Sequence, residues 1–367
     1  MKTMRHPSRL HFARGVTLVE LLIALVIGAV LIAGAVYIYS QSRRSATVND
    51  TQSRLQENAR YAMSLIEPDI QLAGYYGFSN HPDDFKFISG GSTSTYTTAS
   101  KMQARAADVA LAGVGSTNGC GKNFAVNVIA TIQGSNNSYG LACGALGGGA
   151  QANADTLTIR RASTPPANGL GAATANRLQV LVSRLSPTTQ YLFADGNLPA
   201  TPALKANLVQ VRDLIVRTYY VARNSTNPNV TGLPALRVKA LTDGPSFDNA
   251  ADLEIMRGVE DFQVQFGIDT GDYDGNGTID AGRDSNADGI PDAPNGIATR
   301  YVNPNALPVG FQVVSVRIWL LVRAETPEQG FVNNRRYVYA DRDVTVNDNF
   351  RRVLMSRTIQ LRNTRTL

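Results

Sequence analysis

The chain has 367 residues, 43% of them hydrophobic, enough for one sizeable core or two small ones once any membrane segment is set aside, and too many for a mini-protein. The formal net charge is +6, but Lys2, Arg5, Arg9 and Arg14 lie before Gly15 where no acid occurs, so loss of those four leaves +2. The remaining Arg residues are scattered among acids instead of forming one stripe, which argues against a nucleic-acid partner.

The first element is a short basic leader, residues 1–15. It is followed at 16–39 by the apolar run VTLVELLIALVIGAVLIAGAVYIY, in which Glu20 is the only ionisable acid or base apart from the two tyrosines. As a helix this run is about 36 Å long, enough to cross a bilayer. A secretory signal peptide is cut after its apolar stretch, whereas the one candidate cleavage point here, Arg14-Gly15, precedes it. The apolar helix therefore stays on the mature chain. The leader charges favour a cytoplasmic start, with the bulk of the chain outside, although Arg43 and Arg44 lie beyond the far end. An unpaired carboxylate at the depth of Glu20 costs several kcal/mol and requires a partner or neutralisation. A tolerated polar residue in an ordinary signal anchor is the plainer alternative, but it leaves Gly15, five positions upstream, without a role.

The segment RG-VTLVELLIALVIGAVL resembles the class III signal of type IV pilins and type II secretion pseudopilins. Gly15 stands before the scissile bond, Val16 after it, then Thr17 and Leu18, with Glu20 as the fifth mature residue. The resemblance implies cleavage after Gly15 by a prepilin peptidase on the cytoplasmic side. It further implies N-methylation of Val16, which departs from the usual Phe, and pairing of Glu20 with an N-terminal amine during assembly.

Residues 40–74 continue the helix in amphipathic form. Leu55, Ala59, Met63, Ile66 and Ile70 recur on one face, and Gln52, Arg54, Glu57 and Arg60 supply the wet one. Pro68 is expected to kink or break the helix locally, and Gly74 to stop it. The two segments together predict a helix of nearly sixty residues, about 85 Å if continuous.

The globular head is expected over residues 75–367. Within it, 89–154 is rich in Gly, Ser, Thr, Asn and Ala, and reads as an irregular, surface-exposed insertion. It holds both cysteines, Cys120 and Cys143, without the paired spacing of a zinc site. A single disulfide in an oxidising compartment is the expected use, two free thiols the alternative; such a bridge contributes about 3 kcal/mol.

Strand signals follow at 155–161, 177–184, 208–221 and 236–241. The clearest alternation is in GVEDFQVQFGID, where Phe262, Val264, Phe266 and Ile268 face one way and Asp261, Gln263 and Gln265 the other, as in a half-buried strand. SVRIWLLVRAE, RYVYADRDVTV and RRVLMSRTIQLRNTR complete the set. One antiparallel sheet on the long helix is the simplest assembly, an α+β fold.

Between those strands lies an Asp-rich loop, 269–292. Its first half sets Asp272, Asp274, Asn276, Thr278 and Asp280 at alternate positions with Gly277 sixth, the oxygen spacing of a calcium loop, but Arg283 occupies the twelfth position where a bidentate Glu belongs. The second half repeats the pattern with Asp284, Asn286, Asp288, Gly289 and Asp292, similar to the DxNxDGxxD calcium repeats of extracellular proteins. One shared calcium ion or two fit this loop; a solvated acidic hairpin is the alternative, since Asp, Asn and Gly are also turn residues. No cofactor is required.

Catalysis finds little support. His6 and His11 lie in the leader, which leaves His81, in an NHPDD turn, as the sole histidine of the processed chain. No GxGxxG, P-loop, HExxH or CxxC occurs, so no enzyme is expected. DTLTIRR, RTYYVAR with LPALRVKAL, GVEDFQVQFGID, SVRIWLLVR and RRVLMSRTIQLRN look like the PilW group of type IV pilus minor pilins. That resemblance implies a pilin-like head on a helical stalk, other minor and major pilins and the prepilin peptidase as partners, and residence in the inner membrane with the head in the periplasm before passage to the pilus. It implies a role in pilus assembly and priming, and thereby in twitching motility or adhesion. A type II secretion pseudopilin, or a subunit that binds a surface at the pilus tip, is the alternative.

Overall fold

The computed structural model describes residues 15–79, 85–89, 92–93, 120, 122–164, 173–184, 190–198, 208–230, 232–241, 252–270, 296–308 and 313–363. The chain divides into two compact units, Met1–Ser53 and Arg54–Leu367. Helix α1 (Leu18–Gln71) begins in the first and ends in the second.

In the first unit the helix is exposed all round: Leu18, Leu22, Leu25, Ile32 and Tyr39 each leave more than half their surface uncovered. It is long and apolar enough to cross a membrane. An apolar surface on every side is stable in lipid or against other apolar helices, not in water.

From Arg54 the helix is amphipathic, and Leu55, Ala59, Ala62, Met63, Ile66 and Ile70 are buried at the spacing that puts them on one face. Arg54, Glu57 and Arg60 are exposed, as their positions predict. Pro68 does not end the helix, which runs on to Gln71. The lost backbone bond falls in the last turn, where Ile66, Asp69 and Ile70 are all held from the sheet side. Gly74, at φ +75°, closes the following turn and donates its N–H to the Arg160 carbonyl at 3.0 Å.

The strands of the second unit are β1 (Lys86–Ser89), β2 (Ser92–Thr93), β3 (Ile132–Ser135), β4 (Thr156–Ala162), β5 (Ala175–Ser183), β6 (Gln190–Asp195), β7 (Val209–Ala222) and β8 (Ala235–Ala240). They continue with β9 (Asp252–Arg257), β10 (Val259–Ile268), β11 (Arg300–Val302), β12 (Val313–Arg323), β13 (Arg336–Tyr339), β14 (Arg342–Thr345) and β15 (Arg352–Gln360). A short helix, α2 (Lys122–Val126), precedes β3.

Among the described residues these strands form two main sheets where the sequence suggested one. The larger follows the path β2-β1-β6-β5-β7-β4-β3, with β8 joined to β7 and β9 to β8; the smaller runs β11-β10-β12-β15. The ladders are antiparallel except for the β1–β6 pair. The chain passes from the larger sheet to the smaller through a single residue, Gly258, between β9 and β10. Its φ is +82°, and a Cβ there would lie 2.6 Å from the Arg323 carbonyl oxygen, so only glycine fits.

The main core lies between these layers. It joins the α1 face to Leu157 and Ile159 of β4, Tyr219 and Val221 of β7, Phe262, Val264, Phe266 and Ile268 of β10, and Val316, Ile318 and Leu320 of β12. The opposite face of the larger sheet carries a second core, with Val180 and Val182 of β5, Val216 of β7, Tyr76, Phe85 and Val128.

Two expectations change here. The β10 strand is not half-buried: Asp261 and Gln263, on its polar side, are also covered. RYVYADRDVTV does not extend a sheet but folds as the separate β13–β14 hairpin, whose Tyr337 and Tyr339 pack with Leu321. A polar face reads as wet in a sequence, whereas here Tyr339 donates its hydroxyl to Asp261 Oδ2 at 2.5 Å, so the cover supplies the hydrogen bond that water would have made.

The insertion is also more ordered than its composition suggests. Its described second half, 122–154, supplies α2 and β3, and buries Ala125, Val126, Val128 and Ile132. The reason is Arg160, fully buried on β4. Its guanidinium donates to the carbonyls of Phe124 (2.6 and 2.9 Å) and Ala130 (2.7 Å), and to Gln133 Oε1 at 3.2 Å. Burial lowers its pKa to about 10, so it still carries its charge at neutral pH.

Candidate functional site

The site marked by sequence is the start of α1. Gly15 has ordinary backbone angles, and a Cβ built on it meets nothing within 4 Å. The fold of the described residues therefore does not require glycine at this position. Val16 is exposed.

Thr17 and Glu20 form a reciprocal capping box. Glu20 Oε2 accepts from the Thr17 backbone N–H (3.1 Å) and hydroxyl (3.2 Å), and Thr17 Oγ1 accepts from the Glu20 N–H at 3.3 Å. The helix start thus has its orphan donors partly satisfied, and the carboxylate is oriented toward the N-terminal end. The T-x-x-E spacing carries this capping signal in the sequence. The capping box engages one carboxylate oxygen, Oε2.

A second constellation fixes α1 to the head. Asp69 is almost wholly buried. Its Oδ1 accepts from Arg161 Nε and Nη2 (3.0 and 2.8 Å), and its Oδ2 accepts from Arg217 Nη1 (2.9 Å) and the Tyr219 hydroxyl (2.6 Å). Arg160 and Arg161 are consecutive on β4 and so point to opposite faces, one gripping the 124–133 loop and the other the helix. Burial and the neighbouring carboxylate raise the Tyr219 phenol. Burial opposes the charge on Arg217, but Asp69 outweighs it and raises that guanidinium. Nothing in the sequence singled out this cluster.

Cys120 and Cys143 are joined in a disulfide. Near it, buried Lys239 donates to the Gly144 carbonyl (2.7 Å) and pairs with Asp252 at 3.4 Å, while Arg237 donates to Asp252 Oδ1 at 2.8 Å. These charges are paired inside the fold.

The calcium candidates Asp272, Asp274, Asn276, Thr278, Asp280, Asp284, Asn286, Asp288 and Asp292 lie outside the described residues, as does His81. The base of their loop is described. Ile268 pairs with Arg300 across β10 and β11, Asp269 Oδ2 accepts from the Gly296 N–H (2.7 Å), and Thr270 meets Thr299 at 2.8 Å. The loop therefore connects two neighbouring antiparallel strands.

A family model described as "Type IV Pilus-assembly protein W" matches residues 218–363, from the end of β7 through β15. A second, "Prokaryotic N-terminal methylation motif", matches residues 11–36, which include Gly15, Val16, Thr17 and Glu20. No curated protein and no solved structure matches the chain. The methylation motif leads into the exposed apolar helix and the W-type match spans the smaller sheet, so over these two segments the chain is similar to PilW-type pilins.

Proposed function

We propose that this chain is a minor pilin that joins other minor pilins, primes polymerisation of the type IV pilus, and through it supports twitching motility or adhesion. The supporting observation is the helix from Leu18 to Tyr39, apolar and exposed on all sides, headed by a carboxylate held at its N-terminal turn. Such a surface must be covered, by lipid before assembly and by neighbouring helices afterwards. On this reading the head lies in the periplasm before assembly. Glu20 then accepts from the amine that cleavage frees on Val16 or on a neighbour, since a carboxylate in that setting needs a cation.

Mass spectrometry of the mature N-terminus in the native host tests the proposal. Wild type should begin at a methylated Val16, and Gly15→Ala should retain the leader and leave the cells without pili. Because the alanine meets no obstacle in the fold, retention reports on processing, not misfolding. Working pili that still carry residues 1–15 would refute the proposal.

A type II secretion pseudopilin shares the N-terminal motif; loss of exported enzymes with normal pili in a deletion strain would favour it. Surface binding at the pilus tip is best probed by removing residues 94–118, which spares β3 and the Arg160 contacts; normal pili with lost attachment would favour that role. We further propose that the 269–292 loop binds calcium with modest affinity, because seven aspartates against one arginine repel one another without a cation. Calcium should raise the melting temperature of wild type but not of Asp274→Ala/Asp288→Ala; an unaltered wild type would end the idea.

A further inference from the structure

Three carboxylates from three separate elements converge where the insertion, β10 and the β13–β14 turn meet. Asp155, at the foot of β4, is almost wholly buried. Its Oδ1 accepts from the Asn137 N–H (2.7 Å) and its Oδ2 from the Val264 N–H (2.8 Å), while its own N–H donates to the Phe262 carbonyl at 2.8 Å. It thereby ties the larger sheet to the smaller.

Asn137 bridges to the second carboxylate, since its Nδ2 donates to Asp341 Oδ2 at 2.9 Å. Asn136 and Asn303 donate to the same oxygen, at 2.8 and 3.0 Å. Asp341 lies in the hairpin turn. The third carboxylate, Asp261 on β10, accepts from Tyr339 (2.5 Å) and Arg342 (3.3 Å) of the hairpin.

Among the described residues, the cation paired with a carboxylate of this locus is Arg342, on Asp261. Glu260, next along β10, is already matched by Arg352 and Arg323, and Asp343 by Arg336 on the outer side of the hairpin. The hairpin is thus fastened by amide donors to its own Asp341 and by its Tyr339 hydroxyl to Asp261, beside Asp155, which among the described residues makes no ion pair. Asp155 and Asp261 are buried and Asp341 is exposed, so charge on the two buried carboxylates is poorly screened by water and repels.

We propose that the β13–β14 hairpin is a flap gated by the protonation of Asp155: closed over the outer face of the smaller sheet when Asp155 is neutral, and released at its turn when Asp155 is ionised. Ionisation sets a new negative charge against Asp341, which is exposed and can move, and against Asp261, which cannot. The movable partner yields, and the Asn136, Asn137 and Asn303 bonds yield with it. Burial first, and then Asp341 and Asp261, push the Asp155 carboxyl up to about 7, against the pull of its two backbone donors, so the gate operates near neutrality. Release uncovers the cluster of Leu321, Tyr337 and Tyr339, on which Trp319 and Leu354 pack.

Trp319 is the chain's single tryptophan and packs on that cluster, so its fluorescence reports the flap in the full-length, detergent-solubilised protein. Wild type should show a reversible red shift of emission with a midpoint near pH 7, and Asp155→Asn should show none. Asp341→Asn, which removes a like charge from beside Asp155, should move the midpoint to lower pH. A wild-type emission constant from pH 5 to 9, or a transition that both variants leave untouched, overturns the proposal. Hydrogen exchange of the wild type, corrected for intrinsic rates, needs no variant: between pH 6 and pH 8 the β13–β14 amides should lose about tenfold in protection while β10 and β12 keep theirs. Equal loss across all four strands would mean general loosening and would equally overturn it.

Discussion

Asp69 shows how much of this fold rests on a single side chain. A buried carboxylate is tolerable only when its oxygens are matched, and here two arginines and a phenol match them. Asp69→Ala should therefore cost about 3–5 kcal/mol, chiefly because Arg161, nearly buried, is left as an unpaired charge. Arg217→Gln should cost about 1 kcal/mol or less, since the Arg217 side chain is 40% exposed and water can replace its partner. Urea-unfolding midpoints of the two variants check both values, and equal losses would contradict the burial argument. The cluster was not legible in the sequence because its partners stand 92, 148 and 150 residues from Asp69, and an Asp beside Pro68 reads as helix surface. By contrast, the methylation motif around Gly15 and Glu20 was legible because its signal is local: a charge, a small residue and an acid at set distances along the chain.

At the scale of elements, period carried most of the information. The amphipathic half of α1 was visible from its spacing, and so were β4, β5, β7, β8, β10 and β12, each predicted within a few residues of its observed bounds. Elements with a short or polar pattern were missed. The strands β1, β2, β3, β6, β9 and β11 came without a clear alternation, and α2 is only five residues long. Their places are set by pairing with neighbouring strands, as β3 pairs with β4. The switch at Gly258 belongs to this scale. Gly258→Ala should destabilise the head by roughly 1–3 kcal/mol, from positive φ and from the approach of the Arg323 carbonyl. The same substitution at Gly15 should leave stability unchanged, and thermal melts of the pair distinguish the two glycines.

At the scale of the whole molecule, the coupling of the two sheets through Asp155 gives stability a definite dependence on pH. The folded-state pKa is raised, from 3.8 to about 7, so between those values the folded chain holds a proton that the unfolded chain has lost. Unfolding therefore becomes easier as pH rises through that window, by at most about 4 kcal/mol, and levels off above it. Asp261, also raised chiefly by burial, acts in the same direction. Asp348 and Asp343, lowered by their arginine partners, act oppositely, and their contribution is lost as pH falls through the acidic range below about 4. Unfolding midpoints from pH 4 to 8 should accordingly fall toward neutrality in wild type and run flatter in Asp155→Asn; a wild-type midpoint that rises would contradict the burial of that carboxylate.

By itself the amino-acid order determined the apolar helix, its N-terminal methylation motif, the long strands and the α+β class, because each depends on residues within a few positions of one another. The tertiary structure alone decided that the strands divide into two sheets, that the polar side of β10 is covered, and that the glycine-rich insertion is drawn onto the larger sheet by Arg160. Those outcomes depend on which buried charge finds which distant donor, and a one-dimensional pattern does not contain that pairing.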